Sequence, residues 1–579
     1  MHLTSQQHDI IESGGNIKIN AVAGSGKTST LIEYARRRRE ARRILYLAFN
    51  RSVRLEARRR FAEAGVTNVD VQTAHSLAYR HIVPGHGYKV VAGYKPHEIV
   101  KLLKIEPAGG DQWAAYATAS HISRYAALFC ARAAKRVDEV DYAATIEDGK
   151  TRAFARHCAD RIRGGTRKLL AMMDRGEIPV THEFYLKKFQ LSQPVLACDW
   201  VLFDEGQDAS PVMLDVFLKQ PCTRVIVGDA HQQIYGWRHA VNALGAVDFA
   251  ECPLTTSFRF DDRIAQLAME CLAWKGLFAE YAPVTITGAG TSRKTRSKAT
   301  LARTNLFLLR NAIGAISGRS GLRRIYFEGN ISSYTYAGDV ASIYDVLNLQ
   351  SGWRDGIRDP LIKQMRSFKE LEEYAEESGD MEIAMMIDIV TEYGRDLPDL
   401  LKELKKRHVA DDKRESADMW FSTVHRCKGM EYDAVTLEAD FVTEERIKKL
   451  CGKVVKEGEE PVNPDKLAEE INLAYVAITR TKNLLSLPEG MFPGHDEFHA
   501  PAAPARTPAR PAAGREKEWL FDKRKKRPNA GKSWSEYEDI ELMRLYNRDV
   551  TITELARKFG RKKSAITSRL KRLNSECPF

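Results

Sequence analysis

The sequence predicts an α/β protein of two parallel-sheet lobes, each interrupted by a mainly helical insertion, with a small three-helix unit at the C-terminal end. Three observations predict it. Short apolar runs alternate with helix-like or turn-containing segments, the rhythm of βαβ units. A glycine-rich phosphate-loop pattern follows the first run and opens a helix. At 579 residues the chain is too long for one core.

The early strands are "NIKINAV" (16–22), "ILYLAF" (44–49), "VDVQT" (69–73), "WVLFDE" (200–205) and "RVIVGD" (224–229). Between about 80 and 195 the rhythm breaks into Ala-, Arg- and Lys-rich sequence such as "ISRYAALFCARAAKRVDEV", read as a helical insertion. A second series starts near 253 with "PLTTSFRF", includes "KATLAR" (298–303) and resumes at "YDAVTLEAD" (432–440). An acidic helical piece interrupts it around 365–408. The Ala/Pro-rich "HAPAAPARTPARPAAG" then reads as a linker. The expected divisions are 1–85 with 190–252 for the first lobe and 86–189 for its insertion. The second lobe takes 253–320 with 415–491 and its insertion 321–414; a linker spans 492–530 and the last module 531–579.

A formal charge of +12 favours a polyanionic partner. Residues 515–579 hold 18 Lys and Arg against 10 Asp and Glu, so the excess is concentrated in the tail. The runs "ARRRRE" (35–40) and "EARRRF" (56–61) read as solvated helix ends. No apolar run is long enough for a bilayer, and the first residues lack the plan of a signal peptide. Nine cysteines without a Cys-x-x-Cys pair argue against a zinc or iron–sulfur site and for a reducing compartment.

In "NAVAGSGKTST", Gly24 and Gly26 permit the tight path that turns backbone N–H groups toward phosphates. Ala23, Gly24, Ser25, Gly26, Lys27, Thr28 and Ser29 form the candidate nucleotide loop. Lys27 neutralises the β/γ-phosphates, and the Thr28 hydroxyl is a Mg²⁺ ligand. In "VLFDEGQD", Asp204 supplies the distant metal carboxylate, and Glu205 orients or deprotonates the attacking water. The cofactors read from these patterns are ATP and Mg²⁺.

With these motifs in place the chain resembles the UvrD/Rep-type superfamily 1 DNA helicases over roughly residues 3–485. The motifs run in order: "LTSQQHDII", "AVAGSGKTST", "LAFNRSVRLEA", "TAHSLAY", "DEGQD", "GDAHQQIYGWR", "TSFRF", "LARTN", "STVHRCKGMEYDAV" and "EINLAYVAITRTK". Several look like the F-box DNA helicase branch. Because the first motif begins at Leu3, no N-terminal F-box is expected, and a ubiquitin-ligase role is not carried over.

The resemblance implies RecA-like lobes, ATP-driven movement on single-stranded DNA and 3′→5′ unwinding. It implies Gln7 as adenine reader, Phe258 stacked on the adenine and Glu431 on the ribose. Gln232, Arg259 and Arg480 would meet the γ-phosphate, the two arginines from the second lobe. Thr73, His75, Asn305, Thr423 and His425 would lie toward DNA or on the coupling path. Many relatives carry arginine after Gly-Lys-Thr; here it is Ser29, which leaves ATP preference less secure than hydrolysis. In "GDAHQQIYGWR", Trp237 reads as a base-stacking residue. Tyr235 reads either as a second one or as core under the lobe interface.

The stretch 532–573 reads as three short helices, with Trp534, Ile540, Leu542, Leu545 and Tyr546 apolar in the first. It looks like a helix-turn-helix or Myb-like module whose third helix presents Lys562, Lys563 and Arg569 to duplex DNA; Ala565 and Ile566 lie there or in its core. A protein-docking bundle is the alternative. "KRKKRP" (523–528) is either a nuclear signal or a basic arm. The expected function is an ATP-dependent DNA translocase and helicase in repair or recombination, acting on single strands and junctions. The alternative is a DNA-stimulated ATPase that clears proteins or acts against foreign DNA. No membrane partner is expected, and the place of action is the nucleus or, in a prokaryote or virus, the cytoplasm.

Overall fold

The computed structural model describes residues 3–106, 112–146, 149–236, 240–317, 322–337, 341–378, 381–452 and 463–498, with Leu542, Leu555, Lys558, Phe559 and Ile566 beyond them. Residues 1–499 and 500–579 form separate units.

The first sheet has six strands: β1 Ile17–Ala21, β2 Ile44–Ala48, β3 Val69–Thr73, β4 Trp200–Phe203, β5 Thr223–Gly228 and β6 Ala250–Leu254. Their order is β3-β2-β4-β5-β1-β6, and every pairing is parallel. Strand β2, "ILYLA", is buried at all five positions, as expected of a strand covered on both faces. Because β4, β5 and β1 are neighbours, the loops after all three open at the same C-terminal edge.

The second sheet has β7 Lys298–Ala302, β8 Ile325–Phe327, β9 Met419–Thr423, β10 Tyr432–Leu437 and β11 Thr481–Ser486. It is again wholly parallel, in the order β8-β9-β7-β10-β11.

Three boundaries differ from the sequence reading. Pro253 and Leu254 end β6 in the first sheet, paired with Asn20 and Ala21, and do not open the second series. Ile325–Phe327 belongs to the second sheet through Met419–Phe421, although its short apolar run was counted with the insertion. The second lobe continues past residue 491: Phe492 stacks on Trp274 with ring centroids 4.7 Å apart, and Phe498 is buried in the same core.

Among the described residues the chain crosses between lobes once, at Thr255, directly after β6. The Gln6 amide holds this residue at both ends. Its Oε1 accepts from the Thr255 N–H at 3.0 Å, and its Nε2 donates to the Thr255 hydroxyl at 3.0 Å.

The first insertion carries helices Pro96–Leu103, Gln112–Ala131, Gly149–His157, Ala159–Asp174 and His182–Leu191. It shares a core with one face of the first sheet. Lys187, 2% exposed, donates to the carbonyl of Arg132 at 2.9 Å and to that of Ala134, capping the chain that leaves the 112–131 helix. Burial lowers its pKa to about 8. The second insertion is helical over Ile343–Gln350, Phe368–Ser378, Met381–Tyr393 and Leu397–Arg407, packed on helix Asn305–Ser317. In the C-terminal unit Leu542, Leu555, Phe559 and Ile566 are buried, so Ile566 is a core residue. Lys562, Lys563, Arg569 and the remainder of the module lie outside the described residues.

Candidate active site

The loop after β1 opens helix Lys27–Arg36, whose N-cap Gly26 has φ +81° and no side-chain cap. Gly24 has φ +76°, which glycine alone adopts without strain. Lys27 donates to the Ala21 carbonyl at 3.3 Å, and the buried Ser25 hydroxyl has no hydrogen-bond partner. An uncapped helix start beside an unsatisfied buried hydroxyl fits a phosphate. Gln7 is buried against this loop. Its Nε2 donates to the Thr30 hydroxyl at 3.2 Å, while its Oε1 accepts from the Thr4 N–H that caps its own helix. Ser29 accepts a 2.7 Å hydrogen bond from Arg60. A guanidinium from another helix thus lies against position 29, from a run that the sequence suggested to be a solvated end.

At the end of β4, the Tyr46 hydroxyl on β2 donates to Asp204, whose other oxygen accepts from the Glu205 N–H at 2.9 Å. Burial, with the neighbouring Glu205 charge, raises the Asp204 pKa to about 6. Burial opposes ionisation of Glu205 as well, but Lys27, then Lys428 and Arg480, hold its pKa below the ordinary value. One carboxylate is thus kept proton-hungry beside another kept ionised.

After β5, Asp229 is a junction. Its Oδ2 accepts from Gln232 Nε2 at 2.8 Å and from the Tyr475 hydroxyl at 2.9 Å, and its Oδ1 accepts from the His231 N–H. Its own N–H donates to Gln207, which also donates to Glu205. Strands β4 and β5 are therefore tied at their tips.

The second lobe closes directly on this edge. Arg480, 1% exposed, donates to the carbonyls of Val476 (3.0 Å) and Met430 (3.2 Å) and to Gln232 Oε1 (3.2 Å). Arg259 donates to the Thr479 carbonyl at 2.8 Å and pairs with Glu431 at 3.0 Å; burial and the Arg480 charge lower its pKa to about 10. Glu431 also pairs with Lys482 at 2.7 Å. The Phe258 N–H donates to the Gly24 carbonyl at 2.9 Å while its side chain stays exposed. A Cβ on Gly24 would lie 2.6 Å from Arg259 Cβ, so only glycine lets the lobes meet here.

Residues not singled out from the sequence complete the seam. Lys428 forms a buried ion pair with Asp208, donates to the Gln232 carbonyl, and lies 5.2 Å above the Tyr235 ring. Burial raises Asp208 to about 6 against the pull of Lys428. Lys275 links His231 (3.0 Å) to Asn472 (2.7 Å), and Asn472 donates to the Gln233 carbonyl. The signal was present, since Asp208 and Lys428 sit inside the quoted motifs, but only folding brings them together.

The candidate DNA residues are more dispersed. Tyr235 stacks on Phe49 (centroids 5.6 Å apart, planes at 20°), and its hydroxyl donates to the His425 carbonyl at 2.8 Å. It is half-buried and packs on the second-lobe core, as the core reading expects. Thr73 accepts from the Ser76 N–H and caps helix Ala74–His86. Thr423 is buried at the start of Val424–Cys427. Asn305 donates to the Ser333 carbonyl at 3.3 Å. His75 makes edge contacts with His182 and Tyr185. Trp237 lies outside the described residues; its neighbour Gly236 donates to Glu469 across the seam at 3.2 Å.

His231 and His425 both have pKa values lowered to about 4, by burial first and then by Lys275 and Arg303 respectively. The unfolded chain takes up these protons near pH 6.5, the folded one near 4. The stability from neutral burial is therefore complete above about pH 6.5 and is lost as pH falls toward 4, about 1–3 kcal/mol for each ring. A urea midpoint that drops between pH 6.5 and 4.5, with a shallower drop in His231→Asn and His425→Asn, is expected; an unchanged slope in both variants refutes it.

The comparisons agree with this geometry. Residues 7–238 match the AAA domain model and residues 351–488 the UvrD-like helicase C-terminal domain. F-box DNA helicase 1 of Gallus gallus is 29% identical over 528 residues, covering 84% of this chain and 49% of the relative. F-box DNA helicase protein 1 of Schizosaccharomyces pombe is 28% identical over 525 residues, covering 84% of this chain and 57% of the relative. The chain spans about half the length of these curated relatives. Domains of this kind use ATP with Mg²⁺. With two parallel-sheet lobes meeting on one phosphate loop, the chain carries an AAA domain and a UvrD-like helicase C-terminal domain.

Proposed function

We propose that this protein is an ATP-dependent translocase on single-stranded DNA and a DNA helicase, with 3′→5′ polarity and a place in repair or recombination. The observation that carries the reading is the seam itself: Gln232 of the first lobe in the grip of Arg480 of the second, beside Lys27 and Glu205. Lys27 and the loop N–H groups bind the phosphates. Glu205, kept ionised, orients the attacking water and takes its proton. Arg259 and Arg480 stabilise charge on the γ-phosphate and hold the lobes together while it is present. Thr28 and Asp204 would hold Mg²⁺, which supplies further charge neutralisation. Phe258 and Arg60 flank the base.

The track is supported by the Phe49–Tyr235 stack. An aromatic pair joined through His425 to the other lobe gives a nucleobase a flat seat that feels lobe movement. His425, held neutral, contributes a contact without a phosphate charge. The C-terminal module adds a basic arm for duplex DNA, and the eukaryotic relatives favour a nuclear site of action.

The test is ATP hydrolysis with and without single-stranded DNA. Wild type should be stimulated at least tenfold, Lys27→Ala should lose hydrolysis, and Phe49→Ala should need several-fold more DNA for half-stimulation. DNA-independent hydrolysis, or full activity in Lys27→Ala, refutes the motor. Release of a protein block without strand displacement on a 3′-tailed duplex would replace the helicase with a protein-clearing ATPase.

A further inference from the structure

Tyr475 sits in the last long helix of the second lobe, Pro464–Ile478, five residues before Arg480. Its side chain is fully buried and crosses to the first lobe. There the hydroxyl has two partners on two different loops. It donates to Asp229 Oδ2 at 2.9 Å and accepts from the Ala23 N–H of the phosphate loop at 3.4 Å. Ala23 is itself 1% exposed, so water does not replace that acceptor.

The arrangement has a direction. Asp229 Oδ2 accepts hydrogen bonds from the Tyr475 hydroxyl and from Gln232 Nε2, so the carboxylate fixes which end of the Gln232 amide faces it. The other end, Oε1, must then face Arg480. Tyr475 and Arg480 thus hold the same glutamine from two sides, one through a carboxylate and one directly. Through Ala23 the same hydroxyl also fixes the height of the phosphate loop against that glutamine. Burial and the Asp229 charge keep the phenol protonated, as a donor to a carboxylate must be.

We propose that the Tyr475 hydroxyl is a positioning group for ATP hydrolysis: it ties the phosphate-loop backbone at Ala23 to Asp229 and so sets the orientation of Gln232 toward the γ-phosphate. The inference rests on the ATPase reading above and adds a residue to it. Without the hydroxyl the nucleotide is still bound by Lys27 and the loop, but Gln232 loses its fixed orientation when the lobes close. The loss belongs in turnover, not in binding.

The experiment compares wild type, Tyr475→Phe, Asp229→Asn and the double variant, all as the full chain. The readouts are thermal melting, binding of a fluorescent ADP analogue, and ATP turnover with and without oligo-dT. Tyr475→Phe should fold, bind the analogue within about twofold of wild type, keep KM within about twofold and lose about tenfold in DNA-stimulated kcat. In the Asp229→Asn background the same substitution should cost less than twofold, because the path through Asp229 is already cut. A stimulated kcat equal to wild type, a loss confined to KM, a full tenfold loss repeated in the Asp229→Asn background, or a chain unfolded at assay temperature would each overturn the proposal. The last outcome assigns the hydroxyl to stability instead. Wild type unstimulated by DNA would sink the motor reading separately, whatever Tyr475→Phe does.

Discussion

Arg480→Lys should lower DNA-stimulated kcat at least a hundredfold while leaving the KM for ATP within a few-fold. The arginine is fully buried and uses three nitrogens on three acceptors: Val476, Met430 and Gln232. Lysine keeps the charge but offers one nitrogen on a flexible stem, and cannot reproduce a planar fork aimed at three separate oxygens. Arginines that complete a phosphoryl-transfer site contribute roughly 10³–10⁵ in rate, so retaining the charge alone leaves a loss of about 10². Binding is spared because Lys27 and the loop, which grip the nucleotide in the proposed function, belong to the other lobe. Steady-state hydrolysis at saturating oligo-dT decides it: kcat within fivefold of wild type would remove Arg480 from the chemistry.

Lys428→Met should destabilise the protein by about 3–5 kcal/mol at pH 8, the range for a buried ion pair stripped of one partner. The lysine neutralises Asp208, whose side chain is inaccessible to solvent, and also holds the Gln232 carbonyl. Burial already lifts Asp208 to about 6 with the lysine in place. Without the cation its pKa rises further, so the acid form becomes the comfortable one. The penalty should therefore shrink as the pH is lowered from 8 to 5.5, the reverse of the trend set by the two histidines. Asp208→Asn in the same chain should recover at least half the loss at pH 8. Denaturant melts at both pH values provide the check, and a single variant as stable as wild type at pH 8 would contradict the account.

What could be read from the chain, and what could not, follows the reach of each interaction. Strands β2, β4 and β5 were legible because their buried stretches make short apolar runs; "ILYLA", buried at every position, is the clearest case. The phosphate loop was legible because its glycines, lysine and threonine act within one turn of backbone. Strand Ile325–Phe327 was not, since three residues carry no periodicity and its place depends on Met419–Phe421, almost a hundred residues on. The same holds for Tyr46, which reaches Asp204 on the neighbouring strand 158 residues on, and for Lys428 and Tyr475, whose motifs were visible but whose partners lie in the other lobe. Thr73 has a local role that its motif did not advertise: its hydroxyl caps the helix Ala74–His86.

The single crossing at Thr255 has a mechanical consequence. The joint is pinned by Gln6 on one side and followed within three residues by the Phe258–Gly24 hydrogen bond on the other. Under the proposed motor the fulcrum sits beside the fuel, and points of the second lobe farther from Thr255 swing through longer arcs. Work done on such a lever is conserved, so a short, forceful displacement at the phosphate loop is traded for a longer, weaker one at the outer surface of the lobe. On that reading, movement of the outer lobe needs no large rearrangement at the catalytic edge, and the tight packing seen there is compatible with it.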